Sequence, residues 1–388
     1  MKKAIVYLPV LALPVALSMS GESLAACDTR GNAVDGFECD PAGPLAVGAV
    51  FSSSASDTRR NISLALVSEL LEEEGEDEGG SSGDGSPIDV FATLIYGDKD
   101  YETRSVLGFD SDTWGGVVGV DYRAPEYVVG AAVDYSEERA DFNGSAGSQD
   151  TDELGFQLFA NYTPASVKGL FLSAAARYSS LDIETARTFL TAPQDEFGKV
   201  QNPGQLNQAS GSTDGSTFGL LGGVGYSWPL RSTTSLDLSA WLSWTDYKID
   251  GYQESGALRQ GNQGTEVTGN LRFEDDDYST LDGILTAELR HSIPITNGVL
   301  TPRASVSYVH EFESDTRTIN AVLIDVTDEA RRDVIFRTNE ADKDYFRLGA
   351  SLTADFTSGT TVYLTYSGMV GHDWREENLV MLGLNQAF

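Results

Sequence analysis

A formal charge of −33 over 388 residues is far too negative for a surface that grips nucleic acid or anionic headgroups, both of which need basic groups. The 40 glycines, 16 tyrosines and 17 phenylalanines, set against 3 histidines and 2 cysteines, count against a helical or metal-rich enzyme. They favour many short strands with aromatic residues at regular places.

The chain opens with a positive Met1-Lys2-Lys3 and an apolar stretch from Ala4 to Met19, broken by Pro9 and Pro14 and followed by Ser23-Leu24-Ala25-Ala26. This reads as a signal peptide over 1–26. The apolar stretch is short of the roughly 18 to 20 residues of a spanning helix, and no later stretch approaches that length, so no helical anchor is expected. Two readings stand for the residue that follows. Leu24-Ala25-Ala26-Cys27 resembles a lipoprotein box, which would acylate Cys27. Ordinary cleavage would instead leave Cys27 to pair with Cys39 in an oxidising compartment, where closing so short a loop contributes at most about 3 kcal/mol.

After a short segment over 27–55, Ser56 or Asp57 is placed to cap a helix that runs past Asn61 to Glu72-Glu73-Glu74. Ile62, Leu66 and Leu70, with Leu64, Val67 and Leu71, give it a broad apolar surface. Arg59 and Arg60 lie at its positive end and the glutamates at its negative end, so its charges oppose its own dipole and disfavour it in isolation. An acidic lumen would offer the arginines a partner, and a linker helix outside any lumen is the alternative. Gly75 to Pro87 is a flexible Gly/Ser/acid-rich connection, which makes 56–87 one helix-and-linker unit.

From Ile88 to the end (88–388), short runs alternate apolar and polar residues with the period of a strand. Leu154, Phe156, Leu158, Ala160 and Tyr162 share one face; Glu153, Gly155, Gln157 and Asn161 share the other. The same pattern recurs through runs whose polar faces hold Asp134, Arg177, Asp282, Glu288, Arg290, Arg303, Ser305 and Ser307. A packed sandwich core could not bury such charges unpaired. Tyr122, Tyr127, Tyr135, Tyr162, Tyr178, Tyr226, Trp228 and Trp244 stand near run ends on the apolar face, where interfacial girdles belong.

About twelve runs are expected: 88–96, 113–123, 127–138, 151–162, 169–182, 216–228, 234–247, 278–291, 299–313, 344–356, 360–370 and 378–388. Short links follow the even-numbered runs. Long polar ones follow most odd-numbered runs, notably Ile183 to Gly215, Lys248 to Asp277 and Ser314 to Lys343. The fold class is therefore all-β, a twelve-stranded antiparallel transmembrane barrel with both ends on the short-turn side; the N-terminal helix is expected inside its lumen, with the linker helix as the alternative.

Several stretches carry a family likeness. They are Gly108-Phe109-Asp110 leading into Val118 to Arg123, Val129 to Ser136, Ile249-Asp250-Gly251-Tyr252-Gln253-Glu254-Ser255-Gly256-Ala257, and above all Leu300 to Phe312. Together they resemble the autotransporter β-domain of type V secretion, over about Asp57 to Phe388. The resemblance implies a bacterial outer-membrane location and a lumen threaded by the helix with Arg59, Arg60, Asn61, Ile62, Leu66 and Leu70. It also implies insertion into outer-membrane lipid by the barrel assembly machinery, with periplasmic chaperones as earlier partners, and a monomer that needs no cofactor or metal. The family's terminal strand carries an assembly signal, matched here by outward Leu382, Leu384 and terminal Phe388; Gln386 departs from it. Relatives carry a long β-helical passenger, whereas only Cys27 to Ala55 precedes the helix here.

The expected function is a translocator that anchors and exports its own short N-terminal segment. The alternative is a passive pore or structural barrel that has lost its passenger and binds an unknown ligand through surface loops. No phosphate loop, zinc signature or hydrolase elbow stands at convincing spacing, and no enzyme activity is expected. An enzyme would have to use His291, His310 or His372, with Asp282 and Ser307 as nominal partners.

Overall fold

The computed structural model describes residues 87–101, 108–191, 205–257, 269–312, 318–324, 333–337 and 342–388. The signal segment, both cysteines and the helix expected around Asn61 lie outside these residues.

Alternation of β-branched and aromatic residues with polar ones produces strands almost throughout. In chain order they are β1 (Ile88–Tyr101), β2 (Phe109–Ala124), β3 (Tyr127–Phe142), β4 (Gly147–Tyr162), β5 (Leu170–Thr191), β6 (Gln205–Arg231), β7 (Thr234–Ile249) and β8 (Leu271–Phe273). Then follow β9 (Asp276–His291), β10 (Ile293–Ile295), β11 (Gly298–Glu311), β12 (Thr318–Leu323), β13 (Asp333–Arg337), β14 (Asp344–Phe356), β15 (Thr360–Val370) and β16 (Arg375–Ala387).

Twelve of them form a closed antiparallel barrel, in the order β1 to β7, β9, β11, β14, β15, β16. The ring shuts where β16 lies against β1, in register from Asp89 opposite Ala387 to Tyr101 opposite Arg375. Closure leaves no strand edge to meet hydrocarbon, which is the condition for a sheet to span a bilayer. Short β10 extends the β9–β11 hairpin, and β8, β12 and β13 make a separate small sheet in the order β13-β12-β8.

The period-two pattern assigns each side chain to lipid or lumen. Leu94, Leu154, Leu158, Leu242, Leu285 and Leu364 are exposed on the outside, while Gln157, Asn161, Asp134 and Arg177 are buried on the inside. The outer band runs between aromatic residues: Trp114 to Tyr122 on β2 and Tyr127 to Tyr135 on β3, nine residues each. That matches the 9–11 residues of a tilted strand crossing a bilayer.

Large side chains also enter the lumen wall, and each has room for a definite reason. Phe91, Phe159, Phe171, Trp241 and Tyr363 stand directly opposite Gly119, Gly130, Gly225, Gly223 and Gly383 on the neighbouring strand. A Cβ on any of these glycines would fall 2.0 to 2.2 Å from the facing ring. The ring therefore lies flat over the gap, and part of the chain's glycine content is explained by packing rather than by turns.

All twelve expected runs are present, and β14 and β15 begin and end where the sequence placed them. Two boundaries need correction. The stretch Ile183 to Gly215, read as a loop, is largely strand: β5 continues to Thr191 and β6 begins at Gln205, paired from Ile183 opposite Thr213 to Thr191 opposite Gln205. The outward positions there, Asp182, Glu184 and Thr188, lie beyond the lipid band, so they carry none of the apolar alternation that marks a spanning segment. Likewise β8, β12 and β13 fall within what was read as long polar loops.

Candidate functional site

Among the described residues, the lumen is where the fold concentrates charge inside a closed wall. At its middle, Arg177 of β5 donates from Nη2 and Nε to the Asp134 carboxylate of β3 and from Nη1 to Glu153 Oε1 of β4 at 2.6 Å. Ser179 also donates to Glu153 and shares a hydrogen bond with Thr217. These groups are all nearly inaccessible. The knot fits because Gly155 faces the lumen between them: a Cβ there would stand 2.5 Å from the Asp134 oxygens and 2.6 Å from Arg177 Nη2.

Similar pairs line the rest of the wall. Toward the short-turn mouth Arg123 bridges Asp89 and Asp121, Arg290 meets Asp237 at 3.1 Å, and Arg303 meets Glu288 at 3.5 Å. Toward the other mouth Arg347 meets Glu377 at 2.8 Å, Arg375 meets Glu311 at 3.2 Å, and Lys99 lies 3.8 Å from Glu138. Most lumenal carboxylates thus have a cation beside them. The described lumen wall is a largely ion-paired polar surface in which the acids still outnumber the cations, and acids such as Asp98, Asp100, Glu137 and Asp182 point outward beyond the lipid band.

Above that band the wall changes character. Tyr101, Phe109, Phe142, Leu181 and Ile183 face inward and pack with Tyr252, Leu271, Phe273, Ile319 and Leu323, which belong to the segment after β7 and to β8 and β12. The segment 250–257 lies along β6 through Asp250 N donating to Asp214 O and a reciprocal pair between Ser210 and Ser255; β8, β12 and β13 then follow as further strands. Arg187 of β5 ties this assembly to the barrel. Its Nε and Nη2 donate to Glu254 Oε1 and Oε2 at 3.0 and 2.6 Å, and Nη2 also donates to Gly269 O. Glu254 Oε2 in turn accepts from Leu271 N at 2.8 Å. Burial pushes the Tyr252 phenol well above its ordinary range, with Glu254 adding to the effect. Burial also raises Tyr101, opposed by Arg375.

Of the residues singled out from sequence, Leu382, Leu384 and Phe388 are exposed on the outer face of the terminal strand and its end. Cys27, Cys39, Arg59, Arg60, Asn61, Ile62, Leu66 and Leu70 lie outside the described residues. The three histidines are not brought together. His291 bonds Thr234 at one rim, His310 bonds Asp344 on the outer face, and His372 packs on Tyr345. Asp282 and Ser307 face the lumen, across the wall from His310. Sequence reading missed Arg187 and Glu254 because both lie in stretches taken for loops. Arg347 was legible, since it alternates with outward Phe346 and Leu348, but it was not picked out.

Comparison with known proteins adds to this geometry. The model of the family described as Autotransporter beta-domain matches residues 90–367. The chain is 26% identical over 230 residues to Outer membrane protein A of Rickettsia conorii and of Rickettsia rickettsii, covering 58% of itself but only 10% and 9% of those proteins. It thus spans about a tenth of their length. Among solved structures, the translocator domain of the autotransporter NalP from Neisseria meningitidis superposes with a TM-score of 0.57 at 16% identity, covering 87% of this chain and all of that one. The β-domain of the Bordetella autotransporter BrkA gives 0.51 at 16% identity over 78% of this chain and all of that one. At such identity the likeness is one of fold.

Proposed function

The chain belongs to the autotransporter β-domain family and is an outer-membrane barrel, and from that premise we propose that it is the translocator and anchor of the segment N-terminal to it. One observation carries the reading. Ile88 starts β1 beside Tyr122 and near the end of β16, at the mouth where the turns are short, and short turns face the periplasm in outer-membrane barrels. Residues before 87 therefore join the barrel at its periplasmic mouth, and their route to the outside runs through the lumen.

The charge-paired wall suits such a route, because ion pairs satisfied by the wall itself offer few bare charges on which a passing chain would stick. The helix expected over Ser56 to Glu74 would occupy the lumen after export. Cys27 and Cys39 would close a small disulfide loop outside the cell, and insertion would use the barrel assembly machinery after periplasmic chaperoning.

An epitope inserted after Asp40 tests this in intact cells with protease shaving. Surface exposure, with loss of the tag on shaving, is the expected result. A tag protected until the outer membrane is broken would mean that the N-terminus stays periplasmic. The second reading, a closed structural barrel, would then hold, and it draws support from the apolar packing that fills the long-loop mouth.

A further inference from the structure

Inward positions of a barrel wall above the bilayer ordinarily face water, yet here they are among the driest in the molecule. Phe109 is 0% exposed and Ala140 1% exposed, both on the inner face of the wall beyond Trp114 and Tyr135. They belong to one apolar cluster with Leu271, Phe273, Ile319, Ala321 and Leu323 of β8 and β12, whose small sheet continues from β6 through the segment 250–257. Tyr101 of β1 belongs to the same layer, stacked on Phe109 and next to Arg375, its cross-strand partner on β16. The layer therefore joins inward residues of β1, β2, β3, β5 and β7 with the segment 250–257, β8 and β12 in one apolar cluster.

We propose that this cap is a gate that shuts the extracellular mouth, and that the Arg187–Glu254 pair is its latch. The inference goes beyond the translocator reading, because a shut mouth is a property of the barrel whether or not anything is exported through it.

The latch role follows from connectivity. Among the described residues, backbone bonds hold the segment 250–257 to β6 at two places, Asp250 N to Asp214 O and the reciprocal pair between Ser210 and Ser255, and Thr213 Oγ1 also donates to Asp250 O. The ion pair supplements them at a single point, since Arg187 also holds Gly269 O and Glu254 also holds Leu271 N, on the approach to β8 and at its start. Removing either partner takes the opposite charge away from a buried ionised group, which favours a state in which water reaches it. That state is the opened cap. The apolar layer, held to the wall otherwise by the few hydrogen bonds of the segment 250–257, would then open and close by local unfolding.

The test uses the full chain in intact cells, with Cys27 and Cys39 replaced by serine, and a membrane-impermeant maleimide applied from outside. Ala140→Cys reports the dry inner face, and Asp141→Cys, one residue on and outward, reports free access. In the parent chain Ala140→Cys should react at least about tenfold more slowly than Asp141→Cys, the ratio being set by the population of the open cap. Arg187→Met or Glu254→Gln should bring the two rates together, and the exchange Arg187→Glu with Glu254→Arg should restore protection. Retention of the heat-dependent gel shift identifies the variants that have inserted. Equal rates in the parent chain would overturn the gate, a result that does not depend on any latch variant folding. Protection that persists in both inserted single variants would overturn the latch. Neither result bears on the epitope experiment, whose failure would remove the translocator and leave the gate standing.

Discussion

Gly155 has no side chain at the point where a Cβ would touch both Asp134 oxygens and the Arg177 guanidinium, and so the wall can hold one cation between two acids. Losing that cation would leave Asp134 and Glu153 on adjacent strands with their charges unopposed. Arg177→Met is therefore expected to destabilise the barrel by about 3–5 kcal/mol, read as a lower denaturant midpoint in detergent. The triple replacement Arg177→Met, Asp134→Asn, Glu153→Gln should recover most of the loss. Were the single and triple variants equally unstable, lost packing rather than bare charge would be the cause. The facing aromatic and glycine pairs make a second case. Gly130→Val places a branched side chain into the Phe159 ring, at 2.2 Å from Cβ, and is expected to cost about 1–3 kcal/mol by overpacking. The companion Phe159→Ala should relieve that strain in the double variant, and the same denaturant midpoints measure it.

A strand of this barrel presents two chemistries one residue apart. Leu285 is 57% exposed on the outer face of β9, while Thr286 faces the lumen and bonds Ser307. Leu285→Arg should cost about 2–4 kcal/mol near the middle of the lipid band, and Thr286→Arg distinctly less. Equal costs would argue that the outer band does not lie in hydrocarbon. Beyond the band β1 and β2 set Asp98 opposite Asp112 and Asp100 opposite Asp110. Like charges directly opposite repel, so Asp100→Asn should stabilise the barrel by about 0.2–1 kcal/mol, less at high salt. This division also explains what was legible in the sequence. Inside the band an apolar outer face alternates with a polar inner one, and all twelve strands could be found, β14 and β15 to the residue. Above it, water wets the outside and an apolar core fills the inside. Inward Leu181 and Ile183 beside outward Asp182 and Glu184 reverse the sense of the pattern, and the extension of β5 and β6 passed for a loop. The lumenal charges Asp134, Arg177, Glu288 and Arg303 were visible for the same reason as the strands. Their pairing was not, because it depends on cross-strand register that a single chain does not display.

At the scale of the whole molecule, closure depends on the last strand. β16 is the shared partner of β1 and β15, in register over Asp89 to Tyr101 on one side and Thr360 to Gly368 on the other. Without it both neighbours would present rows of unpaired N–H and C=O groups to lipid, which no open sheet tolerates. Gln386, outward on the terminal strand two residues after Leu384, sits at the rim of this seam. It accepts from Thr360 Oγ1 at 2.7 Å and donates to the Gly359 and Ala387 carbonyls at 3.2 and 2.7 Å, bracing the turn between β14 and β15 against the end of β16. The terminal segment can therefore act in two ways, as a structural stave and as the signal proposed for Leu382, Leu384 and Phe388, and the two are separable. Phe388 is 65% exposed and follows the last paired residue, so Phe388→Ala removes little packing. If Phe388 acts as the signal, Phe388→Ala should slow the appearance of the heat-shifted band in pulse-labelled cells while leaving the denaturant midpoint of the inserted barrel unchanged. A lower midpoint with unaltered kinetics would make Phe388 a structural residue of the rim. Deleting 375–388 should abolish the band altogether, since a ring of eleven staves would have to close β1 directly on β15, whose strand directions are parallel.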